Sequence, residues 1–145
     1  MALAEALNTN VTVHTLNLAW TCIGDQGCVA LAEALKTTNV TVHTLNLAGT
    51  HIGAEGCVAL VEVLKTNVTV HTLNLSDNCI DDQGCVALAD ALTTNKTIHT
   101  LDLSGNLIGN EGYWVLAEAL KTNRTVHTMN IEYNYFDIGG VQDDE

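Results

Sequence analysis

The phrase Val-His-Thr-Leu-Asn-Leu stands at residues 13–18, 42–47 and 70–75. It returns as Ile-His-Thr-Leu-Asp-Leu at 98–103 and Val-His-Thr-Met-Asn-Ile at 126–131. The spacing is 29 residues once, where Thr37-Thr38 holds the additional residue, and 28 thereafter. A fixed period of this length marks stacked repeats, in which each unit buries its apolar side only against its neighbours. Such a stack offers an extended surface rather than a deep cleft. Functional residues are therefore sought as rows that recur from unit to unit.

Residues 13–40 show the plan of one unit. Val13, Leu16 and Leu18 follow an L-x-x-L-x-L spacing, with Thr21 at the next hallmark position and Ile23 after it. Thr15-Leu16-Asn17-Leu18 alternates, which predicts a short strand with leucine inward and Thr/Asn outward. Gly24 and Gly27 are expected to bracket a turn. A helix is expected from Cys28, because Cys28, Leu31 and Leu35 then share one face. Asn39 is expected to end that helix in the left-handed conformation. Parallel repetition of strand, turn and helix gives right-handed β-α units. Strands sit about 4.8 Å apart and packed helices roughly 10 Å apart, so the array must curve. The predicted fold class is α/β, a right-handed solenoid. It has five parallel strands on the concave side, four full helices on the convex side and a helical fragment at residues 2–7.

The pattern L-x-x-L-x-L-x-x-N-x-L, followed by Gly-x-x-Gly and Ala-Leu-Ala-Glu-Ala-Leu-Lys, resembles the ribonuclease-inhibitor type of leucine-rich repeat. NOD-like receptors and the GTPase-activating protein of Ran also use that repeat. The resemblance implies that Asn78, Asn106 and Asn134 are the family's buried asparagines, whose amides bond the turn backbone. Thr21 and Thr50 depart from it, so the first two turns are expected to be less well secured. The Ran-activating relative needs an arginine in an early strand-to-helix loop. The single arginine here, Arg124, lies in a late helix-to-strand loop, so that activity is not expected.

Residues 1–145 read as one leucine-rich-repeat domain of about four full repeats with partial repeats at both ends. Ala-Leu-Ala-Glu-Ala-Leu at 2–7 matches 30–35, and Asp137-Ile-Gly-Gly-Val stops where the next helix is due. Neither end reads as a polar cap. The expectation is a piece of a longer array, with self-association through open repeat ends as the alternative. Tyr113, Trp114, Tyr133, Tyr135 and Phe136 gather near the C-terminus, as a makeshift cap or a docking surface.

With 47% apolar residues but only 4% aromatic, the core must be aliphatic. No apolar run approaches the roughly 18 residues of a membrane span, so no membrane partner is expected. The net charge is −12, and Lys36, Lys65, Lys96, Lys121 and Arg124 are the only basic residues, which argues against nucleic acid. Glu33, Glu62, Asp90 and Glu118 recur at one helical position. Asp25, Glu55, Asp82 and Glu111 fall near helix starts, where the dipole favours negative charge. A solvated acidic face is the first reading, a docking site for a basic partner the second.

Cys28, Cys57 and Cys85 share one helical position, and a helix spacing of about 10 Å exceeds the roughly 7 Å reach of a disulfide. Cys22 and Cys79 share another position, two repeats apart. Reduced thiols and a cytoplasmic location are expected. His14, His43, His71, His99 and His127 recur before each strand, about 5 Å apart if in register. Imidazole is a common metal ligand, but no carboxylate or thiol recurs beside these rings. They are read as turn residues of the repeat, and no metal or cofactor is expected. The N-x-Thr triplets at Asn10, Asn39, Asn67, Asn95 and Asn123 are read as helix ends followed by strand threonines rather than as glycosylation sites. No Ser-His-Asp set, phosphate loop, HExxH or Cys-x-x-Cys is present, and no enzyme is expected.

A binding surface is expected on the concave face. Thr15, Thr44, Thr72, Thr100 and Thr128 form one outward row, and Asn17, Asn46, Asn74, Asp102 and Asn130 the next. Trp20, Gly49, Asp77, Gly105 and Tyr133 share the position where the units differ most. Interface hot spots favour Trp and Tyr, so Trp20, Asp77 and Tyr133 are the leading contacts for an unidentified protein partner. An array of near-identical repeats with no evolved site is the competing reading.

Overall fold

Leu16, Leu45, Leu73, Leu101 and Met129 lie side by side on five adjacent strands, one from each repeat, in a computed structural model that describes residues 2–36 and 41–135. The strands are β1 (Thr15–Asn17), β2 (Thr44–Asn46), β3 (Thr72–Asn74), β4 (Thr100–Asp102) and β5 (Thr128–Asn130). They form one parallel sheet in sequence order. Between them run α2 (Gly24–Leu35), α3 (Ala54–Leu64), α4 (Asp82–Thr94) and α5 (Asn110–Leu120), preceded by α1 (Ala2–Leu7). Each helix packs on the next. The chain is an α/β solenoid of the leucine-rich-repeat type.

The core repeats with the sequence. Leu45, Leu47, Ile52, Leu60 and Leu64 of the second unit are wholly buried, as are their equivalents Leu73, Leu75, Ile80, Leu88 and Leu92. Leu16, Leu18, Met129 and Ile131 occupy the same positions in the outermost described strands and are only half-buried, since each has a neighbour on one side.

The helices begin earlier than the glycine pairs imply. Gly24 opens α2, and Gly27, Gly56, Gly84 and Gly112 lie inside helices rather than in turns. At Gly56, Gly84 and Gly112 packing explains the missing side chain. A methyl at Gly84 would meet Ile80 at 2.8 Å, and one at Gly56 or Gly112 would meet the carboxylate of Asp25 or Asp82 at 2.6 Å. Those carboxylates cap a helix of the following repeat. Asp25 Oδ1 accepts from Gly53 N (2.7 Å) and Gly56 N (2.9 Å) at the start of α3. Asp82 Oδ1 accepts from Gly109 N (2.6 Å) and Gly112 N (3.0 Å) at the start of α5. Helix α4 is capped from within by Asp81. Odd and even units thus differ, in a two-repeat period. Cys-Ile-Gly-Asp-Gln-Gly-Cys at 22–28 matches Cys-Ile-Asp-Asp-Gln-Gly-Cys at 79–85, whereas 51–57 and 107–113 carry Ala54 and Asn110 at the Asp25/Asp82 position.

The hallmark asparagines bond both their own turn and the preceding repeat. Asn78 Nδ2 donates to Leu47 O, Leu75 O and Ser76 O, while its Oδ1 accepts from Thr50 N and Ile52 N. Asn106 and Asn134 repeat the arrangement one and two units on. Thr50 is therefore better secured than its departure from the pattern implies. It is fully buried, its hydroxyl donates to Leu47 O at 2.7 Å, and Asn78 holds its backbone. Thr21 keeps the hydroxyl bond, to Leu18 O, but is exposed.

A second asparagine row closes the helix-to-strand corner. The expected left-handed helix end at Asn39 lies outside the described residues, and its equivalents do not adopt that conformation. Asn95 has φ −70° and ψ 133°, and Asn67 and Asn123 are absent from the positive-φ residues. Their side chains do the work: Asn95 Oδ1 accepts from Thr97 N and Ile98 N, and Nδ2 donates to Leu64 O across the repeat boundary. Asn67 and Asn123 make the same local bonds. Asn95 and Asn123 are buried, which explains the N-x-Thr triplets as corner geometry.

Asn78→Ala removes the acceptor for two buried N–H groups and the donor for three carbonyls. We expect it to lower the unfolding free energy by about 3 kcal/mol, against under about 1 kcal/mol for Thr21→Ala, whose bond is solvent-exposed. Urea denaturation of the two variants measures the difference.

Candidate recognition surface

Every strand runs in the same direction, so each outward side chain meets its counterpart on the next strand. The rows Thr15, Thr44, Thr72, Thr100, Thr128 and Asn17, Asn46, Asn74, Asp102, Asn130 are in strict register. The second row has a structural duty that its periodicity did not reveal. Each Oδ1 accepts from the backbone N–H two residues on: Ala19, Ala48, Ser76, Ser104 and Glu132. With the amide oxygen committed inward, the asparagine amide nitrogen is the part left to meet a partner. Asp102 breaks the row by presenting a carboxylate, whose Oδ1 also accepts from the Ser104 hydroxyl.

Just beyond the strands, the variable position proves to be a conformational one. Trp20, Gly49, Asp77, Gly105 and Tyr133 all have positive φ, between 56° and 68°. Glycine adopts this region freely; a side chain there costs about 1–2 kcal/mol. The large residues are seated by the small ones. A methyl on Gly49 would run into the indole of Trp20, and one on Gly105 into the carboxylate of Asp77. Trp20 therefore lies over Gly49, and Asp77 over Gly105, one unit downstream. The alternation of large and glycine is the same two-repeat period that governs the helix caps. Trp20 is 70% and Tyr133 84% exposed. His51 is also held at positive φ, 64°.

The histidines form a stacked ladder. Successive ring centroids are 5.1, 5.3, 5.3 and 5.5 Å apart from His14 to His127, with the planes within 15° of parallel. Nδ1 of His14, His43, His71 and His99 faces the carbonyl of Thr41, Thr69, Thr97 and Thr125 in the next unit, at 2.9–3.2 Å. A carbonyl only accepts, so Nδ1 carries the proton and the four rings tie adjacent units together. Parallel rings more than 5 Å apart cannot both direct a lone pair at one ion roughly 2.1 Å from each. Among the described residues, no group of three His, Cys, Asp or Glu side chains converges to hold a metal.

Cys28, Cys57 and Cys85 are buried and Cys22 and Cys79 exposed, all as free thiols. Burial pushes the thiols of Cys28 and Cys85 up to about 12, with Asp25 and Asp82 adding to the rise. Burial raises Cys57 further. Of the aromatic group near the C-terminus, Tyr113, Trp114, Tyr133 and Tyr135 are exposed, and Phe136 lies outside the described residues. Among the described residues, no helix is long and apolar enough to cross a membrane.

The leucine-rich repeat family model matches residues 9–32, 38–61, 66–89 and 94–113. The chain belongs to that family, and its repeats are of the ribonuclease-inhibitor-like type. Among solved structures, it is similar to actin-binding site 2 of leiomodin-1, with 27% identity and a TM-score of 0.83, over 96% of this chain and 80% of that one. It shares its fold with the tropomodulin C-terminal domain of Caenorhabditis elegans, with 15% identity and a TM-score of 0.77, over 96% and 85% of the two chains. Among curated protein sequences, none is similar enough to count as a relative.

Three measurements check this surface. A thiol reagent should label Cys22 and Cys79 quickly in native protein and all five cysteines only after unfolding. The same burial fixes a pH dependence. Below pH 9, the unshifted thiol value, both folded and unfolded chains keep their thiol protons; above it the unfolded chain releases them first. Stability should therefore fall as pH rises from 9 towards about 12, and fall less in a Cys85→Ala variant. Gly49→Ala should cost about 1–2 kcal/mol through its left-handed backbone, and should displace the indole and shift Trp20 fluorescence.

Proposed function

We propose that this chain is a non-enzymatic, cytoplasmic protein-recognition module that uses the concave face of its leucine-rich-repeat arc. The observation that carries the reading is the pair Trp20 and Tyr133. Two large aromatics stand in solvent at backbone positions where a side chain is costly, one seated on a glycine that makes room for it. A repeat kept only for stacking gains nothing from them. Asp77 shares their position, and Asn17, Asn46, Asn74, Asp102 and Asn130 supply the adjoining polar row. The leiomodin-1 structure it resembles is described as an actin-binding site, so actin is the partner to test first.

Co-sedimentation with filamentous actin and fluorescence titration with monomeric actin test the proposal. Binding should weaken about tenfold or more in Trp20→Ala and Tyr133→Ala, the loss expected of interface hot spots, with melting temperatures close to wild type. Binding that ignores both substitutions would refute this face. No binding to either form would remove actin as the partner.

Self-association through the repeat ends is the second reading. Leu116, Ala117, Leu120, Met129 and Ile131 line an open apolar cavity of about 190 Å³ on α5 and β5. Light scattering that stays monomeric across a concentration series would dismiss it.

A further inference from the structure

We infer that the edge of the solenoid formed by the strand-to-helix turns docks an arginine-rich segment of the partner; this rests on the recognition reading above and names the partner's chemistry. Parallel strands and parallel returning helices sort every connection to one of two edges. The described turns leaving the strands crowd one edge, and the described turns leaving the helices crowd the other.

The two edges differ in charge. Lys36, Lys65 and Lys121 sit at helix C-terminal ends, Lys96 and Arg124 just beyond them, so every described Lys and Arg lies on the helix-leaving edge. The carboxylates there are matched, apart from Glu5 on α1. Glu33, Glu62, Asp90 and Glu118 each lie 2.7–2.9 Å from a lysine. The strand-leaving edge carries exposed Glu55, Asp77, Glu111 and Glu132 and, among the described residues, no Lys or Arg. Asp25 and Asp82, on the same edge, already spend Oδ1 on helix N-termini.

That edge also holds exposed apolar surface. Trp20, Leu107, Tyr133 and Tyr135 stand there in solvent, Tyr135 at 72%. A surface combining aromatic faces with unmatched carboxylates suits one group above others. Guanidinium lies flat on Trp or Tyr and pairs with a carboxylate at its rim. A divalent ion is a poor fit, because the exposed carboxylates are spread over separate turns and, among the described residues, no three ligating side chains converge. Spacing narrows the ligand further. Trp20, Asp77 and Tyr133 follow one another at every second strand, about 10 Å apart at the usual strand separation. A β-strand turns every third side chain to its opposite face, whereas a polyproline-II chain advances about 9 Å per three-residue turn and brings every third side chain back to the same face. The occupant is therefore a polyproline-II segment with arginine at every third position, crossing the turns along the solenoid axis.

The test uses a dye-labelled synthetic peptide with arginine at every third residue, read by anisotropy at low ionic strength. Two fourfold variants change net charge equally. One is Glu55→Gln, Asp77→Asn, Glu111→Gln and Glu132→Gln on the strand-leaving edge. The other is Glu33→Gln, Glu62→Gln, Asp90→Asn and Glu118→Gln on the helix-leaving edge. The first should weaken binding about tenfold or more, the second less than about twofold. Trp20→Ala should weaken it without any change of charge. Thermal melts identify a variant that fails to fold, and the charge-neutral Trp20→Phe, which keeps an aromatic face, should retain binding. Equal weakening by the two sets, or no binding, would overturn the inference and leave the concave-face reading standing. Peptide binding at the edge without actin binding would count against actin alone.

Discussion

Everything in this fold depends on satisfying backbone polar groups at the two corners of each repeat. A 28-residue circuit turns sharply twice, and both corners fall where strands and helices can no longer supply hydrogen bonds. Buried N–H and C=O groups left unpaired there cost enough to forbid the stack. Asparagine solves both corners, because one amide is acceptor and double donor at once. Asn78 and Asn106 serve the strand-to-helix corner and Asn95 and Asn123 the opposite one, each reaching into the preceding unit. Among the described residues no buried side-chain nitrogen or oxygen lacks a partner. These bonds cross the repeat boundary, so folding of one unit presupposes its neighbour. The same cross-boundary logic appears in the histidine ladder and in the aspartate caps of α3 and α5.

With the scaffold fixed by buried leucine and asparagine, the outward positions are released from packing, though not all equally. The asparagines of the outward row hold their own turn with the amide oxygen and leave the amide nitrogen uncommitted. The turn position beyond them is glycine by conformational preference, and the chain departs from glycine at Trp20, Asp77 and Tyr133. Strain at a few exposed positions within an otherwise repetitive, well-satisfied molecule separates surface from scaffold. The charge sorting of the two edges has the same origin. Parallel helices put every N-terminus on one side, acidic residues collect there, and lysines collect at the other.

Legibility from sequence followed the range of the interactions. Strand register, the inward leucines, the buried thiols and the histidine spacing all came from the 28-residue period. The uniform period misleads in three places. Within its own repeat Thr50 looks weakly held, but the bond that secures it comes from Asn78, 28 residues on. The left-handed helix end expected at Asn39 lies outside the described residues, and at the equivalent Asn95 the backbone is not left-handed and the side chain caps the next strand. Gly24 and Gly27 suggest a turn but both lie in α2, and at the equivalent Gly56 and Gly84 the missing side chain makes room for Asp25 and Ile80. The clue to the aspartate caps was the alternation of Asp25 and Asp82 with Ala54 and Asn110, a doubling of the period visible in the letters alone.

The sequence by itself determined the architecture. A fixed period with aliphatic residues at strand and helix spacing admits only a stack, and strand and helix widths then force it to curve. Tertiary structure decided what each repeated polar residue does. A row of asparagines reads the same whether it binds a partner, its own turn or the unit before it, because sequence gives the spacing and not the direction of the side chain. Only packing one unit against the next shows that Asn95 reaches into the preceding unit, that Asn74 is divided between turn and solvent, and that Trp20 stands exposed over Gly49.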